Sequence, residues 1–366
     1  MKFSIQREVI LKPLMQVIGV VERRQTLPVL ANLLVNAKDN ELRFTGTDLE
    51  VELMARVSLS VEQPGEVTIP ARKLVDICKA LPDGTQLDIE IGSERATIRG
   101  GQSRFTLTTL PANEFPVVED VDVSESVQIS QGDLKYIIER SSFAMANQDV
   151  RYYLNGLLLE LRSGLVRCVA TDGHRLSICD ADADLAMEET RQIIIPRKGV
   201  LELLRLLDGE SDTLKLEFGR SHIRVQLADS VFTSKLIDGR FPDYETVVPI
   251  GADQEMVADR AVIREALQRA AILSNEKYRG VRLELEPGRL RIVAHNPEQE
   301  EAVEEVEVET EIESLAVGFN VNYLLEALNA LDDEQVKISL RDANSSCLVQ
   351  SPKSTHARHV VMPLRL

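Results

Sequence analysis

Long apolar runs are missing from this chain of 366 residues. No stretch reaches the length needed to cross a bilayer as a helix. The first ten residues, MKFSIQREVI, hold no continuous apolar core of the kind a signal peptide needs, so the protein is expected to stay in the compartment where it is made, the cytoplasm. Cysteine is scarce: Cys78, Cys168, Cys179 and Cys347, with no C-x-x-C pair. Reduced thiols in or near cores are expected rather than a disulfide framework or a structural zinc site. Neither a Walker loop nor G-x-G-x-x-G occurs, so no nucleotide cofactor is expected, and any ATP-driven step has to come from a partner. Positive charge is also lacking. The net charge is −17, and such a chain is repelled by nucleic acid at long range unless its basic residues are gathered on one surface.

What is present is enough apolar residue, 44%, against 28% charged, to bury real cores. It is arranged as a repeat. After Pro70, the segment ARKLVDICKAL has an apolar stripe at Leu74, Ile77, Cys78 and Leu81, the i, i+3, i+4, i+7 spacing of an amphipathic helix. The stripe returns at Val200, Leu203, Leu204 and Leu207, then at Leu324, Ala327, Leu328 and Leu331, an interval of about 125 residues each time. Ile69-Pro70 and Ile195-Pro196 introduce the first two copies, with proline expected in the first helical turn, where its missing N–H costs nothing. An upstream helix repeats as well. Ile10, Leu14, Val17, Ile18 and Val21 answer to Leu134, Ile138, Ser141, Ser142 and Met145, and to Ile263, Leu267, Ala270, Ala271 and Ser274. Between the helices lie alternating runs with polar turns at Asp39-Asn40, Ser163-Gly164 and Pro287-Gly288, the pattern of hairpin strands. Thr47-Asp48 falls on Thr171-Asp172, and LPANEFP (110–116) on LIDGRFP (236–242). The expected fold is α+β: three tandem domains, each with two helices on antiparallel sheets, spanning 1–125, 126–253 and 254–366.

The six helical segments (6–21, 70–81, 132–146, 196–207, 259–273 and 320–331) carry a net charge of +5, so the acidity lies elsewhere and the helices form the basic face. Only the last segment is acidic. Similar domains joined head to tail close into a ring when the rotation allows. Two chains would bring twelve helices inward. At about 9.5 Å between axes these enclose a hole of about 26 Å, wider than a duplex of roughly 20 Å. A single chain with six helices could not enclose a duplex.

Chemistry has few candidates. Asp172 and His174 could form an acid–base pair, but the first copy has Thr47-Asp48-Leu49-Glu50 there with no histidine, which fits a pocket wall better than catalysis. His356 and His359 lack an evident third metal ligand, and no metal is expected. The acidic run Glu298, Glu300, Glu301, Glu304, Glu305 is expected to meet basic residues of a neighbouring chain. Besides a ring around DNA, two other readings stand: a hydrolase built on Asp172 and His174, and an open three-repeat scaffold that binds proteins without encircling DNA.

The chain resembles the bacterial sliding-clamp family, the β subunits of DNA polymerase III, over its whole length. The resemblance rests on VRYYLNG (150–156), ATDGHRL (170–176), IPRKG (195–199), FTSKLIDGRFPDY (232–244), AILSNEK (271–277), NPEQEEA (296–302) and VMPLRL (361–366). It implies a closed, non-enzymatic, head-to-tail homodimer around double-stranded DNA. Loading would depend on an ATP-driven clamp loader. The ring would tether the replicative polymerase, and translesion polymerases, mismatch-repair and ligase proteins through short peptides; no membrane partner is implied. Carried over by motif, the peptide pocket uses Leu154, Thr171, Gly173, His174, Arg175, Leu176, Pro242, Val247, Val360 and Met362, bordered by Arg151 and the tail Pro363, Leu364, Arg365 and Leu366. The family's pattern has a basic residue before the position of Val247; here it is Thr246. The resemblance places Phe105, Leu107, Ile77, Ile272 and Leu273 at the centre of the dimer contact, with Lys73, Arg95 and Arg104 facing Glu298, Glu300, Glu301 and Glu304. Gln102 stands where a further basic residue is usual. Weak, sequence-independent DNA contact is expected through Lys12, Arg23, Arg24, Arg72, Gln148, Tyr152, Tyr153 and Lys198. Met362-Pro363 aligns with Leu110-Pro111, and the third copy has nothing to connect, so its apolar ending is expected to be free to line the pocket.

Overall fold

The structure, a computed structural model, describes residues 1–21, 27–92, 94–116, 118, 122–207 and 212–365. Among the described residues, six α-helices follow the predicted positions: α1 (Arg7–Val17), α2 (Ala71–Ala80), α3 (Gln131–Glu139), α4 (Arg197–Leu206), α5 (Arg260–Ala271) and α6 (Val321–Asn329). Each follows directly on a strand: Lys2–Gln6, Gly65–Pro70, Glu125–Ser130, Arg191–Pro196, Gln254–Asp259 and Leu315–Asn320. Pro70 and Pro196 are therefore the last strand residues and not part of the first helical turn; Pro70 is the N-cap, with ψ at 111°. Proline fits there because its fixed φ suits the extended cap. Asp259 and Asn320 cap α5 and α6 with side-chain oxygens that accept from Val262 N–H (3.0 Å) and Asn322 N–H (2.9 Å).

The first helix of each copy is shorter than its apolar stripe. α1 ends at Val17, α3 at Glu139 and α5 at Ala271, and a 3-10 turn at Ser142–Ala144 follows α3. Val21, Ser142, Met145 and Ser274 are still buried, because the chain leaves the helix but stays against the sheet. Each large aliphatic side chain buried this way contributes about 1.5–3 kcal/mol. The hairpin turns come out as read: Asp39 and Asn40 both have positive φ, and Gly164 and Gly288 take the left-handed position in theirs.

The chain forms two compact units, 1–132 with 201–236, and 133–200 with 237–366. In the first, a five-stranded antiparallel sheet runs 61–63, 2–6, 86–91, 95–100, 103–108, and an eight-stranded sheet runs 125–130, 213–218, 222–226, 230–235, 51–58, 41–47, 32–38, 65–70. In the second, a nine-stranded sheet runs 191–196, 156–162, 165–171, 175–182, 357–361, 347–350, 335–340, 254–259, 309–310, and a four-stranded sheet runs 301–307, 289–295, 280–286, 315–320. Each large sheet contains a seam in which the third hairpin strand of one repeat pairs with the last strand of the next. Val51–Ser58 pairs with Ser230–Lys235, and Arg175–Asp182 with Ala357–Val361. Their counterparts, Ser103–Thr108 and Glu301–Glu307, end the two smaller sheets as edge strands.

Candidate docking pocket and nucleic-acid face

The second seam builds the pocket. Thr171 ends one strand and its Oγ1 donates to the Arg175 carbonyl (2.6 Å) while accepting from Gly173 N–H (3.1 Å). Asp172 Oδ1 accepts from the N–H groups of His174 (2.9 Å) and Arg175 (3.0 Å). Gly173 sits at φ +87°, where a side chain is strained. The Asp172 carboxylate is thus taken up in closing a turn, and His174 stands exposed beside it. That arrangement does the work of a turn, not of an acid–base pair.

Leu176, the next residue, points into an apolar cluster with Leu158, Val169, Ile178, Ile194, Phe241, Tyr244 and Val360, flanked by half-buried Tyr153, Val247, Val248 and Leu348. Val360 lies opposite Leu176 across the seam, and Met362 N–H donates to the His174 carbonyl (3.0 Å), so the tail follows the turn. Arg151 forks onto Asp149 (3.0 and 2.8 Å) and reaches the Asp172 carbonyl (3.3 Å). That contact, foremost, holds the Asp149 carboxyl down at about 2. A Cβ on Gly173 would lie 3.1 Å from the Arg151 guanidinium. Leu154 is buried, its N–H donating to the Arg151 carbonyl (2.8 Å). Pro242 is exposed beside Phe241, and Thr246 donates its hydroxyl to the Asp243 carbonyl (2.7 Å). Behind Tyr244, buried Arg167 binds Asp180 (2.6 and 2.8 Å) and donates to the Tyr244 hydroxyl (3.2 Å), which donates to Glu160 (2.9 Å). This network fixes the Tyr244 ring under the pocket.

One expectation is corrected here. The tail is not free: Leu364 N–H donates to the Gly318 carbonyl (2.7 Å) and bridges that strand. Leu110 makes the equivalent bridge to Thr68, so Leu364, not Met362, is the counterpart of Leu110. Arg175 is engaged within the chain. Its Nε donates to Asp172 (3.2 Å), one Nη to the Phe143 carbonyl (2.7 Å) and the other to Glu326, and its plane lies over Tyr323 (4.6 Å to the centroid). Sequence reasoning missed Phe241, Tyr244, Val248 and Leu348, and named Tyr153 for the DNA face rather than for this cluster. The apolar residues of FPDY were the available signal for the first two. Pro363 and Leu364 are half-buried and Arg365 is exposed; Leu366 lies outside the described residues, as do Arg23 and Arg24.

Among the residues expected to face DNA, Lys12 is exposed on α1 with Asp229 3.7 Å away, and Arg72 is exposed on α2 with one Nη donating to the Val21 carbonyl (2.8 Å). In the second unit, Gln148 is exposed at φ +57°, Tyr152 is exposed and edge-on to half-buried Tyr153 (5.8 Å), and Lys198 is half-buried in α4. The expected dimer residues lie on the free edges or beside them. Arg104, Phe105 and Leu107 are on the strand 103–108, Arg95 is on its neighbour, and Lys73 and Ile77 are on α2. Glu301 and Glu304 are on the strand 301–307, with exposed Glu298 and Glu300 just before it. Ile272 is 76% exposed where α5 ends, with half-buried Leu273 beside it. Part of the acidic run is already engaged within the chain: Glu304 holds Arg269 (2.6 Å), Glu300 accepts from Asn296 (2.6 Å), and Glu301 lies 3.5 Å from His295.

Among the described residues, no group of three or more His, Cys, Asp or Glu side chains is placed to hold a metal ion, and no helix is long and apolar enough to cross a membrane. His359 is buried, with Nδ1 2.8 Å from Ser177 Oγ, and burial pushes its pKa down to about 3; His356 is exposed. The four cysteines are free and buried, and burial raises their thiol pKa values, Cys179 and Cys347 to about 12.

Comparison with known proteins fits this geometry. The N-terminal, central and C-terminal domains of the DNA polymerase III beta subunit match residues 1–119, 128–243 and 245–365. The beta sliding clamp of Pseudomonas putida is 54% identical, and that of Escherichia coli K12 47%, each over the whole of both chains. The crystal structure of the Pseudomonas aeruginosa sliding clamp bound to griselimycin superposes with a TM-score of 0.98 at 54% identity, and Caulobacter crescentus pol III beta with 0.94 at 37%, both covering 100% of each chain. Whole-length identity of this order, together with three domain matches in sequence order, establishes that the chain belongs to the DNA polymerase III beta subunit family, the beta sliding clamps.

Proposed function

We propose that the protein is a non-catalytic DNA sliding clamp, which encircles duplex DNA as a head-to-tail homodimer and tethers the replicative polymerase. The observation that carries the dimer is the seam. Twice within the chain, a third hairpin strand pairs with the last strand of the following repeat. The third strand of the last repeat and the last strand of the first are both free edges. The same pairing between two copies closes six repeats, divided 1–125, 126–253 and 254–366 in each chain, with two identical contacts. Arginine on one edge strand and glutamate on the other favour that register, while Ile77, Phe105, Leu107, Ile272 and Leu273 supply the apolar centre, which carries most of the affinity. Exposed ion pairs there add little.

DNA would be held by enclosure and by weak, salt-dependent phosphate contacts from Lys12, Arg72, Lys198 and their neighbours. An ATP-dependent loader would open the ring in the cytoplasm. Short apolar peptides of the polymerase, translesion polymerases, mismatch-repair proteins and ligase would dock on Leu154, Leu176, Pro242, Val247, Val360 and Met362, between the 171–175 turn and the tail.

The deciding experiment loads the clamp on circular and on linear DNA. Retention on circles and loss from linear ends is expected. Replacing Ile272 and Leu273 by alanine should give monomers in sedimentation and abolish retention. A full dimer from that variant refutes the interface, and equal retention on both DNAs refutes enclosure. Deleting residues 363–366 should leave the dimer and weaken peptide binding strongly in calorimetry; unchanged affinity places the pocket elsewhere.

A further inference from the structure

Glu326 is the only charged residue of α6, a lone acid with no basic residue in its own helix. The same position, sixth in its helix, is Asp76 in α2 and Glu202 in α4. Glu202 pairs with Arg205 of its own helix (2.8 Å), and Arg205 in turn donates to the carbonyls of Met15 (2.6 Å) and Gln16 (2.5 Å) in α1. α6 has no arginine to offer. Its carboxylate instead binds Arg175, in the turn that forms the pocket.

That contact completes an unusual set. The three nitrogens of the Arg175 guanidinium go to three places: Nε to Asp172 (3.2 Å), one Nη to the Phe143 carbonyl (2.7 Å) and one to Glu326. The plane rests on Tyr323, also from α6 (4.6 Å). The side chain is 11% exposed. The backbone of the same residue closes the turn, its N–H donating to Asp172 and its carbonyl accepting from Thr171. A guanidinium with each nitrogen engaged has little left for a partner's charge. It can instead hold the turn in one shape, since a planar fork on several acceptors loses little freedom for each bond formed.

We propose that Glu326 is a positioning residue for peptide docking: acting from α6 through Arg175, it holds the 171–175 turn and the Leu176 wall in the binding conformation without touching the peptide. This rests on the pocket reading given under Proposed function. Glu326 is 44% exposed on its side chain, so its replacement should leave the core intact.

The test uses the full-length dimer, the variant Glu326→Gln, and a short fluorescein-labelled peptide ending in two large apolar residues. By anisotropy, wild type should bind, and Glu326→Gln should bind about three- to tenfold more weakly, in the lower part of the range of energies by which contacting residues couple. The melting temperature should hardly move. Hydrogen exchange should quicken at the amides of His174, Arg175 and Met362 and not across the nine-stranded sheet. Glu326→Asp should recover part of the affinity. Combining Glu326→Gln with Arg175→Met should weaken binding no further than Arg175→Met alone. Unchanged affinity in Glu326→Gln, or additive losses in the double variant, overturns the inference and leaves the pocket standing. Failure of the wild type to bind overturns the pocket reading itself.

Discussion

In the turn after strand Glu41–Thr47, the Thr47 hydroxyl donates to the Val51 carbonyl (2.9 Å), and Asp48 accepts from the N–H groups of Glu50 (2.9 Å) and Val51 (2.7 Å). In the turn after Leu165–Thr171, Thr171 and Asp172 make the same bonds to Arg175 and to His174 and Arg175. The seam strand then docks alike, Lys235 N–H on the Glu50 carbonyl (2.8 Å) and Met362 N–H on the His174 carbonyl (3.0 Å). The two skeletons match, and the side chains on them differ. Leu49 at φ +78° stands where Gly173 has +87°, and Glu52 stands where Leu176 does. Glu52 accepts from Val118 N–H (3.2 Å), whereas Leu176 opens onto an apolar cluster. The Thr-Asp pair is therefore a requirement of the fold in both places. The docking proposed for the second turn would fall to residues that the first turn does without.

The largest way to break this contrast is to import the first turn's acid into the second. Leu176→Glu places a carboxylate in the apolar cluster and should cost about 3–5 kcal/mol, read as a fall in the denaturation midpoint together with loss of peptide binding. A cost below about 1 kcal/mol would mean that the cluster is open to water.

Removing the shared acid sharpens the comparison. Asp48→Ala and Asp172→Ala each strand two backbone donors and should each lose about 1–2 kcal/mol in chemical denaturation. Only Asp172→Ala should also weaken peptide binding, because Asp172 holds Arg175 as well. An equal effect of both on binding would contradict the separation of roles.

Backbone strain gives a smaller effect of opposite sign in the two turns. Leu49→Gly relieves a side chain at positive φ and should stabilise by about 0.5–1 kcal/mol; Gly173→Ala should destabilise by at least about 1 kcal/mol, with its Cβ tight against Arg151. Thermal melts of the pair check the sign, and two shifts in the same direction would refute it.

The smallest effect is the pH response of Glu52. Burial raises its pKa, against opposing pulls from the Val118 N–H and Arg224. For a carboxyl raised on folding, the neutral form is the better accommodated one. Its contribution to stability is complete below the unfolded-state value, about 4.3, and is lost as pH rises through the folded-state value. Glu52→Gln should flatten that slope above about pH 4.3. An unaltered slope would assign the dependence to another group.

Much of this was legible in the chain. The 3.6-residue stripes located all six helices, and the alternating runs with Asp-Asn, Ser-Gly and Pro-Gly turns located the first hairpin of each copy, because those periodicities are local consequences of which face is buried. Helix ends were less legible. Ser141, Ser142 and Met145 keep the apolar rhythm after α3 has ended, since residues packed against a sheet are buried whether or not the backbone is helical. At the pocket, Thr171, Gly173 and Leu176 could be named from their motif. Arg175 could be named from the same motif, but its partner Glu326, 151 residues away in the chain, could not.

By itself, the sequence determined the three-fold repeat, the α+β elements, the turn chemistry of Thr-Asp and, through whole-length similarity, the family. Each depends on short-range spacing, or on matching that runs along the chain. Only the tertiary structure decided which strands meet at the seams, which edges stay open, that Leu364 rather than Met362 bridges back to Gly318, and that the lone acid of α6 closes on Arg175. Those outcomes depend on pairings between residues far apart in the chain, whose geometry is set by how packed sheets bring them together and leaves no periodic trace in the sequence.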